Sequence, residues 1–120
     1  MAHISVEHGT VGVILTTVEN TEGVHRDFSF PVTSIVDVIF QSDPIELVHG
    51  LRSPGTGLLN HKIGTWRSGG SKSFVSVTRD APGLIISLNG QAFDQVILSL
   101  DNAAEVRSTL VLAGAQVSSP

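Results

Sequence analysis

The sequence predicts a mainly β domain, a small antiparallel structure of about seven strands ending in a single helix. Three observations carry that prediction. The apolar runs are short and rich in Val, Ile, Thr and Phe, as strands are. Gly, Pro, Asn and Asp separate them at turn spacing. The hydrophobic period changes to a helical one only once, over residues 101 to 113. A chain of 120 residues, 41% of them hydrophobic, is enough for one core. One domain over 1 to 114 is therefore expected, followed by a loose tail at 115 to 120.

"HISVEHG" (3 to 9) alternates Ile4 and Val6 with polar neighbours, and "TVGVILTTVE" (10 to 19) follows through a tight turn near His8 and Gly9. "NTEG" (20 to 23) reads as a hairpin turn into "VHRDFSF" (24 to 30), where Val24, Phe28 and Phe30 share one parity. Pro31 interrupts that ladder because it has no N–H to donate. In "TSIVDVIFQ" (33 to 41) the apolar parity changes between Ile35 and the set Val36, Val38 and Phe40, which predicts an irregular strand. "SDPIELVHGLRSPGTG" (42 to 57) holds two prolines and three glycines and predicts a long connection, with a short extended piece at Glu46 to Val48.

Four strands then follow: "LLNHKIGTWR" (58 to 67), "SKSFVSVTR" (71 to 79), "GLIISLN" (83 to 89) and "QAFDQVILSL" (91 to 100). Asn89-Gly90 between two apolar runs predicts a type I′ hairpin, so these four are expected to form a meander. The helix is predicted from Ala103, Val106, Leu110 and Ala113, with Asp101 or Asn102 as cap, Glu105 near its positive end and Gly114 as its stop. It is expected to plug the open end of a barrel or paired-sheet arrangement.

No stretch approaches the roughly 18 apolar residues of a membrane-spanning helix. The N-terminus lacks a signal-peptide pattern, so a cytoplasmic location is expected. The absence of Cys excludes disulfides, thiolate metal sites and Cys nucleophiles. A formal charge of −4 argues against a general nucleic-acid binder. That net value conceals a segregation: Gly50 to Arg79 holds five basic residues and no acid, while the remainder holds two basic residues against eleven acids, 2 − 11 = −9. If the basic segment is contiguous in space the surface is dipolar, although neighbouring basic and acidic strands would give the same count.

"VTSIVDV" (32 to 38), the glycine-spaced "GTGLLNHKIGTWRSGGSKSF" (55 to 74), "GLIISLNGQAFDQVILSL" (83 to 100) and Asp101 opening the last helix together resemble the bacterial pleckstrin-homology-like domains. The resemblance covers about residues 32 to 112. It departs where this chain has Leu59-Asn60 in place of Leu-Pro-Gly, and in the N-terminal strands. It implies a strongly bent, seven-stranded barrel capped by the helix, used for binding or assembly and not for catalysis. Inositol-phosphate-binding relatives of that fold carry basic residues around the loop between the first two strands. "VEHGTVG" (6 to 12) has no Lys or Arg, so the resemblance implies that this lipid site is absent.

The residues around Gly55 to Gly64 lack the Gly-Lys-Ser and the following helix of a phosphate-binding loop, and no βαβ unit surrounds them. The five His residues form neither H-x-H nor H-E-x-x-H, and no G-x-S-x-G elbow precedes a helix. No catalytic residue, metal ligand or cofactor is therefore expected. The candidate site is the basic segment Arg52, Lys62, Arg67, Gly69, Gly70 and Lys72, as a face for an anion or an acidic partner. The ordinary alternative is that Gly69-Gly70 supply a turn and the charges keep its tip soluble.

A three-residue turn, Ser68 to Gly70, would set Trp66 against Lys72 and Gly64 beneath Phe74, and it avoids placing Arg67 directly opposite Lys72. That register is the expected one. "TVGVILTTV" and "VDVIFQ" carry little charge and are candidates either for a surface shared with another copy or for burial on both sides. The sequence thus points to a non-catalytic module that binds a protein partner or self-associates. The alternative is a small-ligand-binding barrel or small enzyme with its site at the open mouth.

Overall fold

The computed structural model describes residues 3–14, 28–44, 55–58, 61–68 and 70–115. Strands β1 (His3–Glu7) and β2 (Thr10–Ile14) pair antiparallel with Glu7 opposite Thr10, so His8 and Gly9 alone turn the chain. Both have positive φ, 51° and 76°, the type I′ arrangement whose twist matches the strands it joins. Strand β3 (Phe28–Pro31) lies on the other side of β2, with Val11 opposite Phe30 and Val13 opposite Phe28. The rest of the predicted 10–19 and 24–30 strands, and the 20–23 turn, lie outside the described residues. Pro31 closes β3, and a 3-10 turn at Val32–Ser34 leads away. The turn is fixed by Val32 N–H donating to the Gly9 carbonyl (2.8 Å) and by the Ser34 hydroxyl donating to the Pro31 carbonyl (2.6 Å).

The second sheet contains β4 (Ile35–Gln41), β5 (Gly55–Leu58), β6 (His61–Ser68), β7 (Ser71–Thr78), β8 (Gly83–Leu88) and β9 (Gln95–Ser99). Their spatial order is β4-β8-β9-β7-β6-β5. The expected irregularity of β4 is a register slip between Ile35 and Asp37 against β8. β5 takes its first three residues from the segment expected to be connection and its last, Leu58, from the strand expected over 58 to 67, whose remainder is in β6 from His61. Two glycines in four residues hide β5 from propensity. The extended piece expected at 46 to 48 lies outside the described residues.

The meander is not what forms. β9 inserts between β7 and β8, antiparallel to β8 but parallel to β7, so the sheet is mixed and not wholly antiparallel. Burial supplies the reason: Val96, Ile97, Leu98 and Ser99 are all at most 7% exposed, on both parities. A strand apolar on both faces belongs in the interior of a sheet and not at its margin. The predicted type I′ turn at Asn89-Gly90 also gives way, since β8 ends at Leu88, β9 begins at Gln95, and Asn89 has no positive φ.

Alternation gives the large sheet two apolar faces. Phe74, Leu84, Ile86, Leu88, Val96 and Leu98 join Val11, Val13 and Phe30 of the small sheet in one core. Trp66, Val75, Val77, Ile85 and Ile97 form a second cluster of the opposite parity. Each fully buried Leu, Ile or Phe contributes roughly 1.5 to 3 kcal/mol, so the first cluster dominates stability. Four of the chain's five Phe residues meet between the sheets: Phe28 lies edge-on to Phe74 (5.1 Å, 75°), and Phe93 stands 5.4 Å from Phe28 and 5.6 Å from Phe74.

Helix α1 (Ala103–Leu112) runs beside β4, β8 and β1 and buries Ala103, Val106 and Leu110. Arg107 Nε donates to the Val38 carbonyl (3.3 Å), which ties the helix to β4. Its start is capped at Asn102 by backbone alone. Its end closes as predicted at Gly114: Ala115 N–H reaches the Leu110 carbonyl and Gly114 N–H the Val111 carbonyl, the two bonds of a Schellman motif. No strand pairing among the described residues joins the two sheets into a closed barrel. The architecture is two packed sheets with one C-terminal helix, and among the described residues no helix is long and apolar enough to cross a membrane.

Candidate functional site

The basic hairpin is β6–β7, and its register differs from the expected one. Ser68 pairs with Ser71, Arg67 with Lys72, Trp66 with Ser73 and Gly64 with Val75. The loop is therefore two residues, with Gly70 at φ +88°, and the like-charged pair expected to be avoided stands in direct register. Neither Lys72 over Trp66 nor Phe74 over Gly64 occurs. A one-residue slip moves every side chain of a strand to the other face, so the choice of register decides where Trp66 goes. Here it is 8% exposed and packs with Val75, Val77 and Ile97. Opposed like charges cost about 1 kcal/mol, less than close packing of an indole in an apolar cluster contributes. Packing of the Trp outweighs the repulsion.

The remaining predicted residues separate. Lys62 stands opposite Val77 in β6, five positions along the strand from Arg67. Arg52 and Gly69 lie outside the described residues. The register thus brings Arg67 and Lys72 together and leaves Gly70 beside them at the tip.

Lys72 has neighbours that the sequence did not reveal. Its backbone N–H donates to Asp94 Oδ2 (2.8 Å), and Asp94 N–H donates to the Lys72 carbonyl (2.8 Å). The Asp94 carboxylate is thereby committed to the main chain of the basic hairpin. The Lys72 ammonium instead lies 5.1 Å from the centroid of the Phe93 ring, a cation–π contact of about 0.5 to 1 kcal/mol. Phe93 and Asp94 sit in the connection that the Asn-Gly signal concealed. A signal was present: if β9 began at Gln91, Phe93 would share the parity of Ile97, on the face away from the other phenylalanines. Starting at Gln95 lets Phe93 turn into the same core as Val96 and Leu98.

The same connection forms one wall of a small cleft of about 90 Å³. Phe28 and Phe30 of β3, Leu88 and Phe93 provide its apolar surface. Ser29 and Ala92, both exposed, and half-buried Gln91 complete it. Enclosed ligand sites usually span roughly 300 to 1,000 Å³, so this cleft is too small for a metabolite. Among the described residues no three His, Asp or Glu side chains are grouped to hold a metal ion.

The fold and site define a mainly β domain of two packed sheets with a basic hairpin beside an aromatic cleft. Comparison with protein-family models, curated proteins and solved structures gives no significant match.

Proposed function

We propose that this chain is a non-catalytic binding or assembly module, built on the plan of the bacterial pleckstrin-homology-like domains, whose basic β6–β7 hairpin receives an acidic protein partner. The observation that carries the reading is a filled interior: Val11, Val13, Phe74, Leu84, Ile86, Val96 and Leu98 occupy the space between the sheets at no more than 1% exposure. A catalytic or ligand-binding barrel needs a hollow where this packing stands. The plan is supported by two sheets around one core with a single C-terminal helix against β4 and β8.

The partner's sign follows from the segment Gly50 to Arg79, which is acid-free, and from Arg67 and Lys72 standing in register at its tip. Calorimetric titration with a deca-glutamate peptide at low salt tests it. The double variant Arg67→Ala, Lys72→Ala is expected to bind at least several-fold more weakly than wild type, and equal binding would refute the reading.

Self-association has its own support on β4, where Val36, Ile39 and Phe40 are 44%, 40% and 44% exposed. Among the described residues β4 is the margin of its sheet, and a margin strand that exposes large apolar side chains is a place where another chain can pair. A light-scattering mass above 12.6 kDa that falls to one chain in Phe40→Glu is the expected result. A monomeric wild type removes this second route.

A further inference from the structure

We propose that the cleft between β3 and the β8–β9 connection is a docking pocket for one aliphatic side chain of an acidic segment of a partner protein, with the Lys72 ammonium meeting a carboxylate next to that side chain. The inference rests on the binding-module reading and names what such a partner presents.

Size selects the side chain. A cavity of about 150 Å³ lined by Leu, Ile and Phe encloses a benzene. At about 90 Å³ this open cleft is smaller, and a branched aliphatic group fills it with less left outside than a ring would leave. Its lining of Phe28, Phe30, Leu88 and Phe93 offers such a group apolar contact on several sides.

The walls are already in place before anything binds. Phe93 is 8% exposed and packed on Phe28 at 5.4 Å. Its connection is held by Leu88 N–H to the Asp94 carbonyl (2.8 Å), Asn89 N–H to the Ser34 carbonyl (2.9 Å) and Asp94 N–H to the Lys72 carbonyl (2.8 Å). A rigid pocket loses little entropy on docking, so a single side chain contributes usefully to affinity.

Charge selects the segment. Lys72 is half-buried with its ammonium over the ring of a residue that lines the cleft, and among the described residues no carboxylate forms an ion pair with it. The Asp94 carboxylate accepts from the Lys72 main chain. A cation fixed beside an apolar pocket favours an occupant that carries a negative charge close to its apolar group, and disfavours a basic one.

N-acetyl-leucine contains both parts, an isobutyl group and a carboxylate. Added to the full, isotope-labelled chain, it is expected to cause saturable amide shifts at Ser29, Gln91, Ala92 and Phe93 in the millimolar range. N-acetyl-leucinamide, which lacks the charge, is expected to bind about fivefold more weakly, and Lys72→Gln to reduce N-acetyl-leucine to that level. Ala92→Leu, which fills the cleft from an exposed position, is expected to abolish both.

The proposal fails if these amides do not shift, if N-acetylaspartate shifts them equally, or if Lys72→Gln leaves the affinity unchanged. It also fails if N-acetyl-phenylalanine binds more tightly, which would make this a site for rings. Deca-glutamate binding with a silent N-acetyl-leucine titration overturns the pocket and leaves the binding module standing; loss of both overturns both.

Discussion

His8-Gly9 and Asn89-Gly90 are two dipeptides placed alike, each between an apolar run and its antiparallel partner, yet they turn the chain differently. The weaker signal makes the tight turn: His8 and Gly9 both take positive φ, and Glu7 pairs directly with Thr10. The stronger one does not, although Gly90 at 74° nearly matches Gly9 at 76°. The difference lies beyond the turn. After Gly9 the alternation of β2 already points Val11 and Val13 into the core. After Gly90 it would point Phe93 to the wrong face, and the chain uses six residues, 89 to 94, to correct that before β9 begins. Turn chemistry proposes a register, and the burial of the next large side chain decides it.

The comparison breaks most visibly at Phe93. Phe93→Ala removes a ring that contacts Phe28 and Phe74, for an expected loss of about 3 kcal/mol, the range of buried aromatic truncations. Urea unfolding measures it, and a loss below about 1 kcal/mol would mean that the ring does not determine the path of the connection. Gly83→Ala tests the position of β9. A methyl group there would run into the Leu98 carbonyl, with its carbon and Pro44 Cγ each 2.8 Å away. Because Leu98 belongs to a strand paired on both sides it cannot yield, and a loss of about 2 kcal/mol is expected. In a meander with β9 at the margin the same substitution would be absorbed.

How much of this was legible in the sequence follows from the same contest. Strands read from clear alternation appear where expected, as in β1 and β7, and the helix ends at its predicted glycine because its signals are local. β5 was hidden by its glycines, and the insertion of β9 depends on a neighbour that sequence order does not specify. The candidate site was half legible. Arg67 and Lys72 are identifiable as a basic hairpin but their direct pairing is not, because the like-charge rule is worth only about 1 kcal/mol and the cluster in which Trp66 packs is set by strands distant in sequence. Asp94 and Phe93 are hidden by the Asn-Gly signal, which points to a two-residue turn where the chain uses six residues.

Asp94 gives a smaller and sharper test. Its carboxylate accepts the Lys72 N–H in an exposed position, so Asp94→Ala is expected to cost about 1 kcal/mol and Asp94→Asn, which keeps an acceptor, about half of that. If the two variants are equally stable to urea, the side-chain bond does not hold the connection, and the main-chain bond from Asp94 N–H to Lys72 carries it alone.

The smallest effect isolates the turns themselves. At φ 51° His8 occupies a conformation that Asn tolerates better, so His8→Asn is expected to raise stability by a few tenths of a kcal/mol. Asn89 sits in no such conformation, and what it contributes is a backbone N–H to the Ser34 carbonyl, which any residue but proline supplies. Asn89→His is therefore expected to be neutral within about 0.5 kcal/mol, as exposed substitutions usually are. The two exchanges move the same pair of residues in opposite directions between two similar sequence contexts. Were Asn89-Gly90 a type I′ turn, the second would lose about what the first gains, and thermal unfolding of the two variants beside wild type would show mirror-image shifts instead of a single one.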